Sequence, residues 1–408
     1  MGSQEFPRWK KKTSVFLIGQ AVSLFGTALV DFALIWHITL LTKSGLMMTF
    51  ATAAAFLPRL LISLFAGVWA DRHNRKLLII WSDAGIAIAT LTLALVFSMG
   101  YTDLWLIFLL MGLRSIGSGI QSPAVGAILP QIVPPDKLLR VNGINSSLQS
   151  SIMLLSPMAG GALLSFGPLQ QLLYIDVLTA IVGIALLLGI AIAPHAKSSP
   201  SEKLNYYSDI KEGLVYMKEN VLVREMLIMY LFYFFLITPA AFLSPVAVAR
   251  SFGDEVWRLT VNEIAFSGGM MLGGALIAWW GGLRNSINTI ALSCFVIGIT
   301  HATLAIPNFY IFMGSIAVMG IFASFFSATE MALFQQKVAP DKQGRVFSMV
   351  QLIVTAVMPL GMFLFGPLGD LFRIEWQFLA CGLLLIVLSV HIFFNKRLKA
   401  EATLSSTG

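Results

Sequence analysis

Charge is the scarcest component of this 408-residue chain: Asp, Glu, Lys and Arg together make up 12%, against 57% for the apolar set. A soluble domain carries about 25% charge to keep its surface wetted, so a water-exposed globular fold is excluded and lipid is the expected solvent. Cysteine is nearly absent. Cys294 and Cys381 sit inside separate apolar runs, which argues against a disulfide framework or a thiolate metal site. His37 and His301 are lone histidines without partners at metal-ligand spacing. No Gly-x-x-x-x-Gly-Lys-Ser/Thr loop is present, so ATP is not the energy source carried by this chain. Neither a nucleophile elbow nor His-Glu-x-x-His occurs. No enzyme activity, cofactor or metal is therefore expected.

What the chain has in abundance is apolar length. About 20 apolar residues cross the roughly 30 Å of hydrocarbon in a bilayer, and twelve such runs are read near 14–41, 46–70, 77–99, 104–128, 141–166, 169–193, 224–249, 258–281, 286–306, 308–335, 346–371 and 376–394. The first follows Arg8, Lys10, Lys11 and Lys12 but is too long for a signal peptide and lacks a small-residue cleavage site. It is expected to be retained. With both termini cytoplasmic, only Lys43, Arg250, Arg258 and Arg373 of the 27 basic residues fall outside, and Arg59 and Arg114 lie within the membrane. That asymmetry fixes the orientation. It also explains the net charge of +7 without nucleic-acid binding.

The longest polar stretch, Pro194 to Glu225, divides the runs into two sets of six, and residues 209–221 inside it have the spacing of an amphipathic helix. The expected organisation is an N-terminal bundle over 1–193, a cytoplasmic linker over 194–223 and a C-terminal bundle over 224–408. A repeat supports the duplication. Gln131-Ile-Val-Pro-Pro-Asp-Lys-Leu-Leu-Arg-Val141 matches Gln336-Lys-Val-Ala-Pro-Asp-Lys-Gln-Gly-Arg-Val346 at seven of eleven positions, at an offset of 205. An even number of spans separates the copies, so the two bundles run parallel.

Several motifs carry a family resemblance. Gly67-Val-Trp-Ala-Asp71-Arg72-His-Asn-Arg75-Lys76, in the second-to-third connection, resembles the signature loop of the major facilitator superfamily, with Asn74 for the usual Gly, a residue that also tolerates positive φ. Arg114 with Gly117 and Gly119 resembles the basic motif of that family's fourth helix. Ser156-Pro157-Met-Ala-Gly160-Gly161 is similar to the Gly-Pro-x-x-Gly-Gly motif of its exporters. More narrowly, Gly19 to Leu24, Arg114 to Gly117, Ser147 to Ser150, Asn262 to Ile264 with Ser267 to Met270, and Ala332 to Gln335 leading to Gly344 to Ser348 resemble bacterial macrolide-efflux pumps, and the likeness runs over nearly the whole chain. The resemblance implies an all-α membrane protein with twelve transmembrane helices in two pseudo-symmetric six-helix bundles. It also implies proton-coupled export of a small lipophilic substrate across a bacterial plasma membrane by a monomer in contact with membrane lipids. Other members move siderophores, tetracyclines or further lipophiles. Import, lysophospholipid transport and a non-transporting receptor are the rival readings.

Intramembrane charge costs about 2.5–3.5 kcal/mol per residue on insertion scales, so each such residue needs a partner or a watery cavity. Gln20, Ser23, Thr27 and Asp31 are spaced to share a helical face and line an aqueous path. Asp31 is read either as a proton or substrate site or as a partner for Arg59. Arg114, Ser118 and Gln121 make a second stripe, and Asn142, Asn145, Gln149 and Ser156 a third. By resemblance the first, fourth, seventh and tenth helices line the central cavity, which places Asp31, Arg114 and Glu330 there. Glu330 could instead hold the cytoplasmic closure, and Glu263 could be a solvated outer carboxylate. The candidate proton-coupling residues are Asp31, Glu263 and Glu330. The candidate substrate contacts are Asp31, Arg59, Arg114, Trp36, Gln121, Gln149 and Tyr233. Asp83 and Asp176 fall on the third and sixth helices, which by resemblance serve as scaffold, and are expected to make ion pairs or hydrogen bonds. By resemblance Gly67, Asp71, Arg72, Arg75, Lys76 and Arg345 form the cytoplasmic gate. Ser156, Pro157, Gly160 and Gly161 supply bends and close approach in the fifth helix, and the glycines at 268, 269, 273 and 274 are read as tight packing.

Overall fold

The computed structural model describes residues 8–192 and 220–403, and the side chains of Leu64, Val68, Asp71, Pro340 and Asp341 also fall outside the described set. The amphipathic helix expected over 209–221 therefore lies, apart from its last residues, outside the described residues. The helices are α1 (Trp9–Thr42), α2 (Gly45–Arg72), α3 (Arg75–Ser98), α4 (Leu104–Ile132), α5 (Leu138–Phe166), α6 (Leu169–Leu188), α7 (Val221–Ser251), α8 (Val256–Trp280), α9 (Ser286–Thr303), α10 (Phe309–Lys337), α11 (Pro340–Leu371), α12 (Ile374–Phe394) and α13 (Lys396–Thr403). Among the described residues twelve helices are long and apolar enough to cross a membrane, and none forms a strand. The all-α membrane fold expected from the sequence is thus the one observed.

Two compact units form, one of Met1–Thr42 with Phe50–Glu202 and the other of Lys43–Thr49 with Lys203–Gly408. In the first, α1 packs on α5 and α6, and α3 packs on α4 and α6. In the second, α7 packs on α11 and α12, and α9 on α10 and α12. Adding six to each label of the first unit gives the second. The repeated segment at 131–141 and 336–346 occupies the same position in both, closing α4 or α10 and opening α5 or α11.

Without a hydrophobic drive between lipid-bathed helices, close packing of small residues holds them together. A Cβ on Gly269 or Gly273 of α8 would stand 2.1 or 2.3 Å from a backbone carbonyl oxygen of α10. Those two glycines bear out the tight-packing reading. Gly268 and Gly274 do not, since a Cβ at either meets nothing within 4 Å.

The α2–α4 contact has a different origin. Pro58 has no N–H and opens the turn of α2 around it. Ser115 of α4 fills that opening: its hydroxyl accepts from Arg59 N at 3.0 Å and donates to Ala55 O at 2.6 Å. One side chain satisfies two backbone groups that would otherwise be stranded in hydrocarbon. Gly119, one turn on, lets α4 lie against the backbone of Arg59, where a Cβ would approach within 2.8 Å of its carbonyl oxygen.

The α2–α3 connection corrects the reading of Asn74. Its φ is −68°, so no left-handed backbone is required; its side chain instead caps α3, accepting from Lys76 N and Leu77 N at 3.0 and 3.3 Å. The neighbouring bases cap other helices. Arg75 donates to Ala70 O of α2 and Ala127 O of α4, and Lys76 donates to Leu188 O and Ile190 O at the end of α6. Cations at helix C-termini are stabilised by the helix dipole.

The first turn of α2 groups with the second unit. Asp370, at the end of α11, accepts from Ser44 Oγ, Gly45 N and Leu46 N at 2.6, 2.8 and 2.9 Å, acting as an N-cap supplied from a distant part of the chain. Arg250 of α7 pairs with the same carboxylate and donates to Lys43 O.

Two outcomes are expected. Gly273→Ala should lower the detergent melting temperature through overpacking of about 1–3 kcal/mol, while Gly274→Ala melts like wild type; equal melting of both would contradict the α8–α10 assignment. Ser115→Ala should cost about 1–3 kcal/mol by stranding two backbone groups, and thermal unfolding without any shift would show that the hydroxyl bridge is not needed.

Candidate functional site

The first unit contains a cavity of about 190 Å³ lined by α1, α2, α4 and α5. Gln20, Thr27 and Asp31 reach it from α1, Arg59 from α2, Ser118 and Gln121 from α4, and Asn145 and Gln149 from α5. The stripes read from the sequence thus supply its polar wall, with departures that follow from 100° per residue. Ser23 turns out of the α1 stripe and donates to Asp83 on α3 at 3.0 Å. Ser156 is fully buried rather than lining the cavity.

Behind that wall lies the strongest electrostatic feature of the unit. The guanidinium of Arg114 is 1% exposed and bridges two carboxylates, Asp31 Oδ1 at 3.0 Å and Asp176 Oδ2 at 2.5 Å. It also donates to Thr27 O at 3.1 Å and contacts Thr90 Oγ1. Thr90 donates to Asp176 Oδ2 at 2.7 Å, and Thr27 to Asp176 Oδ1 at 3.3 Å. One cation faces two anions, so with all three ionised the cluster carries a net charge of −1. The carboxylates are not equivalent: the Asp176 side chain is fully buried, whereas that of Asp31 is 42% exposed and faces the cavity.

This arrangement changes two assignments. The ionic partner of Asp31 is Arg114 and not Arg59. Arg114 itself is buried behind Asp31 and Thr27 and does not line the cavity, so direct substrate contact by its guanidinium does not fit this geometry. Arg59 makes no ion pair among the described residues and stands exposed in the cavity, where it is the only basic lining residue. Asp83, 1% exposed, accepts from Ser23 and from Gln121 Nε2, the latter at 2.6 Å. Because a carboxylate can only accept, this bond fixes the amide of Gln121 with its nitrogen toward α3.

The second unit holds a cavity of about 180 Å³ that includes Tyr233 of α7 and Glu263 of α8. Tyr233 lies nearly parallel to Phe326, 4.1 Å between centroids. Glu330 is partly buried on α10 and lines neither cavity. Trp36 is 2% exposed and packs edge-on to Phe32, so its proposed substrate contact does not fit this conformation. Of the gate residues, Arg75 and Lys76 bind carbonyls within the first unit, Arg72 is exposed, and Arg345 is partly buried at the start of α11. A Cβ at Gly67 meets nothing within 4 Å, and the Asp71 side chain lies outside the described residues. Pro157, Gly160 and Gly161 are buried in α5, with Gly160 facing Leu29 of α1.

Sequence reasoning missed the roles of Thr90, Ser115 and Asp370. Asp370 had a signal, since Gly366-Pro-Leu-Gly-Asp370 repeats the Gly-x-x-x-Asp spacing of Gly67 to Asp71. Thr90 and Ser115 had none, because isolated hydroxyls are common in membrane helices.

The family model of transmembrane secretion effectors, of the major facilitator type, matches residues 7–407. Macrolide efflux protein A of Streptococcus pyogenes is 30% identical over 390 residues, covering 95% of this chain and 96% of that one. Macrolide efflux protein A of Enterococcus faecalis is 31% identical over 310 residues, 75% and 96% of the two chains. The Staphyloferrin A transporter of Staphylococcus aureus is 22% identical over 97% of this chain and 99% of its own. Among solved structures, a bacterial homologue of the human lysosomal transporter Spinster matches the whole of both chains with a TM-score of 0.69 at 14% identity. The peptide transporter POT matches 96% of this chain and 95% of its own with a TM-score of 0.70 at 12% identity. The chain therefore belongs to the transmembrane secretion effector family of major facilitator transporters and is a multi-pass membrane transporter, not an enzyme.

Proposed function

We propose that the chain is a proton-coupled exporter of lipophilic, macrolide-like compounds, working by alternating access in a bacterial plasma membrane with both termini cytoplasmic. The observation that carries this reading is the inequality of the two carboxylates on Arg114. Asp176 is buried and paired with Arg114, which leaves Asp31 as the member of the cluster that lines the cavity and can exchange partners. A proton on Asp31 removes one of the two negative charges and releases the side chain from Arg114; a cationic or hydrogen-bond-donating substrate in the cavity competes for the same oxygen atoms. Binding of one then disfavours binding of the other, which is the linkage that exchange requires. The two relatives named for macrolide efflux support the substrate class, and the basic loop distribution supports the orientation.

A second reading rests on Arg59, an exposed cation in the same cavity that suits an anionic substrate. The relative named for staphyloferrin A transport is consistent with it.

Everted membrane vesicles energised with an acid interior should accumulate a labelled macrolide, and a protonophore should abolish that uptake. Asp31→Asn should reduce gradient-driven uptake at least about tenfold, a difference of about 1.4 kcal/mol. Protonophore-insensitive uptake, or an unchanged rate in Asp31→Asn, would overturn the coupling role. A wild-type preference for labelled siderophore over macrolide would favour the second reading.

A further inference from the structure

The cavity of the second unit is chemically unlike that of the first. Its polar groups come from Glu263 and Asn262 of α8 with Ser244 and Tyr233 of α7, and no basic residue lines it. Glu263 makes no ion pair and no hydrogen bond among the described residues; the nearby base of α8, Arg258, is held by Glu255 at 2.8 Å and lies over Trp257 and Phe309. Asn262 is 3% exposed. Its Nδ2 donates to Ser244 Oγ at 3.3 Å, and its Oδ1 is buried without a partner. A buried carbonyl oxygen without a donor costs about 1–3 kcal/mol, and an uncompensated carboxylate at bilayer depth costs more. Two acceptors on adjacent residues of one helix, with aromatic rings of Tyr233 and Phe266 in the same wall, ask for a ligand that brings positive charge, an N–H and apolar substituents together.

We infer that this cavity is the recognition site for a protonated alkylamine, with Glu263 supplying the counter-charge, Asn262 Oδ1 accepting the ammonium N–H, and Tyr233 and Phe266 flanking the N-alkyl groups. This rests on the export reading above and narrows it to substrates that bear a basic amine. The volume of about 180 Å³ is below the roughly 300 Å³ typical of pockets that enclose a whole drug-sized ligand, so the site holds the amine-bearing part of a larger molecule. The need for an N–H distinguishes it from a general cation trap. A tertiary ammonium has one N–H to give, whereas a quaternary ammonium has the charge but no donor. Cation–π attraction serves both.

The test is binding, independent of transport. Calorimetric titration of the purified full chain in a non-ionic detergent at neutral pH uses N,N-dimethylbenzylamine, benzyltrimethylammonium and uncharged benzyl methyl ether as probes. The amine should bind several-fold more tightly than the quaternary ion, and the ether should bind weakest. Glu263→Gln should weaken the amine about tenfold or more, as expected for loss of a desolvated charge pair. Asn262→Ala should weaken the amine and leave the quaternary ion unchanged, a selective loss that a merely destabilised protein would not show. Equal affinity of amine and quaternary ion in wild type, or amine binding unaffected by both substitutions, would overturn the assignment. These results are separable from the export reading. Amine binding lost in Glu263→Gln while vesicles show no proton-driven uptake would retain the site and reject the function. Proton-driven uptake with amine binding indifferent to Glu263 would do the reverse.

Discussion

A single guanidinium shared by two carboxylates sets the terms for the first unit. Burying Arg114 in a membrane protein is expensive unless its charge is matched and its donors are used. Asp176, Thr90 and the Thr27 carbonyl provide that match on the closed side. Those contacts draw on α1, α3, α4 and α6, so the ion cluster and the helix packing specify each other. The other Nη2 hydrogen reaches Asp31 on the open side, while Nε is buried without a partner among the described residues. A fully buried pairing and a cavity-facing one are thereby held by one planar group whose fork geometry suits simultaneous pairing with two acceptors.

Holding that guanidinium in register requires α4 to sit close to both its neighbours. Ser115, the next residue, bridges the turn of α2 opened by Pro58, and Gly119 removes the side chain that would hold α2 away. Arg59, whose backbone N–H the Ser115 hydroxyl accepts from, is exposed in the same cavity as Asp31. Asp83, buried on α3 outside the cavity lining, fixes the amide of Gln121. The second unit repeats the packing pattern but not the chemistry. It has no buried guanidinium between carboxylates among its described residues, and its cavity offers acceptors without a base. Duplication has preserved the helix contacts while the polar residues diverged, as expected where fold rests on packing and function on a few side chains.

Much of this was legible in the sequence. The twelve spans follow from hydropathy because lipid leaves no alternative to helices of that length, and the duplication follows from the segment at 131–141 and its copy. The polar stripes located the first cavity because helical spacing fixes which residues share a face. The pairing within it was not legible. Arg59 and Arg114 are both intramembrane bases, and only the packing of α3 and α6 on their neighbours shows that Arg114 is the one enclosed between Asp31 and Asp176. Asn74 was misread because its residue type suits both a positive φ and an N-cap, and sequence does not separate the two. The role of Asp370 was hidden for the opposite reason, since its partners lie more than 300 residues away at the start of α2. Trp36 shows the limit of composition as a guide: an aromatic residue beside a polar stripe packs into the interior.

The exchange of a proton for substrate at Asp31 is tested most directly by proton release. Purified protein in weakly buffered detergent solution, mixed with a macrolide and followed with a pH indicator, should release protons in proportion to the substrate bound. Asp31→Asn should bind substrate with no release, and Glu330→Gln should release as wild type does. Equal release from wild type and Asp31→Asn would contradict the assignment and move the exchangeable proton away from the Arg114 cluster.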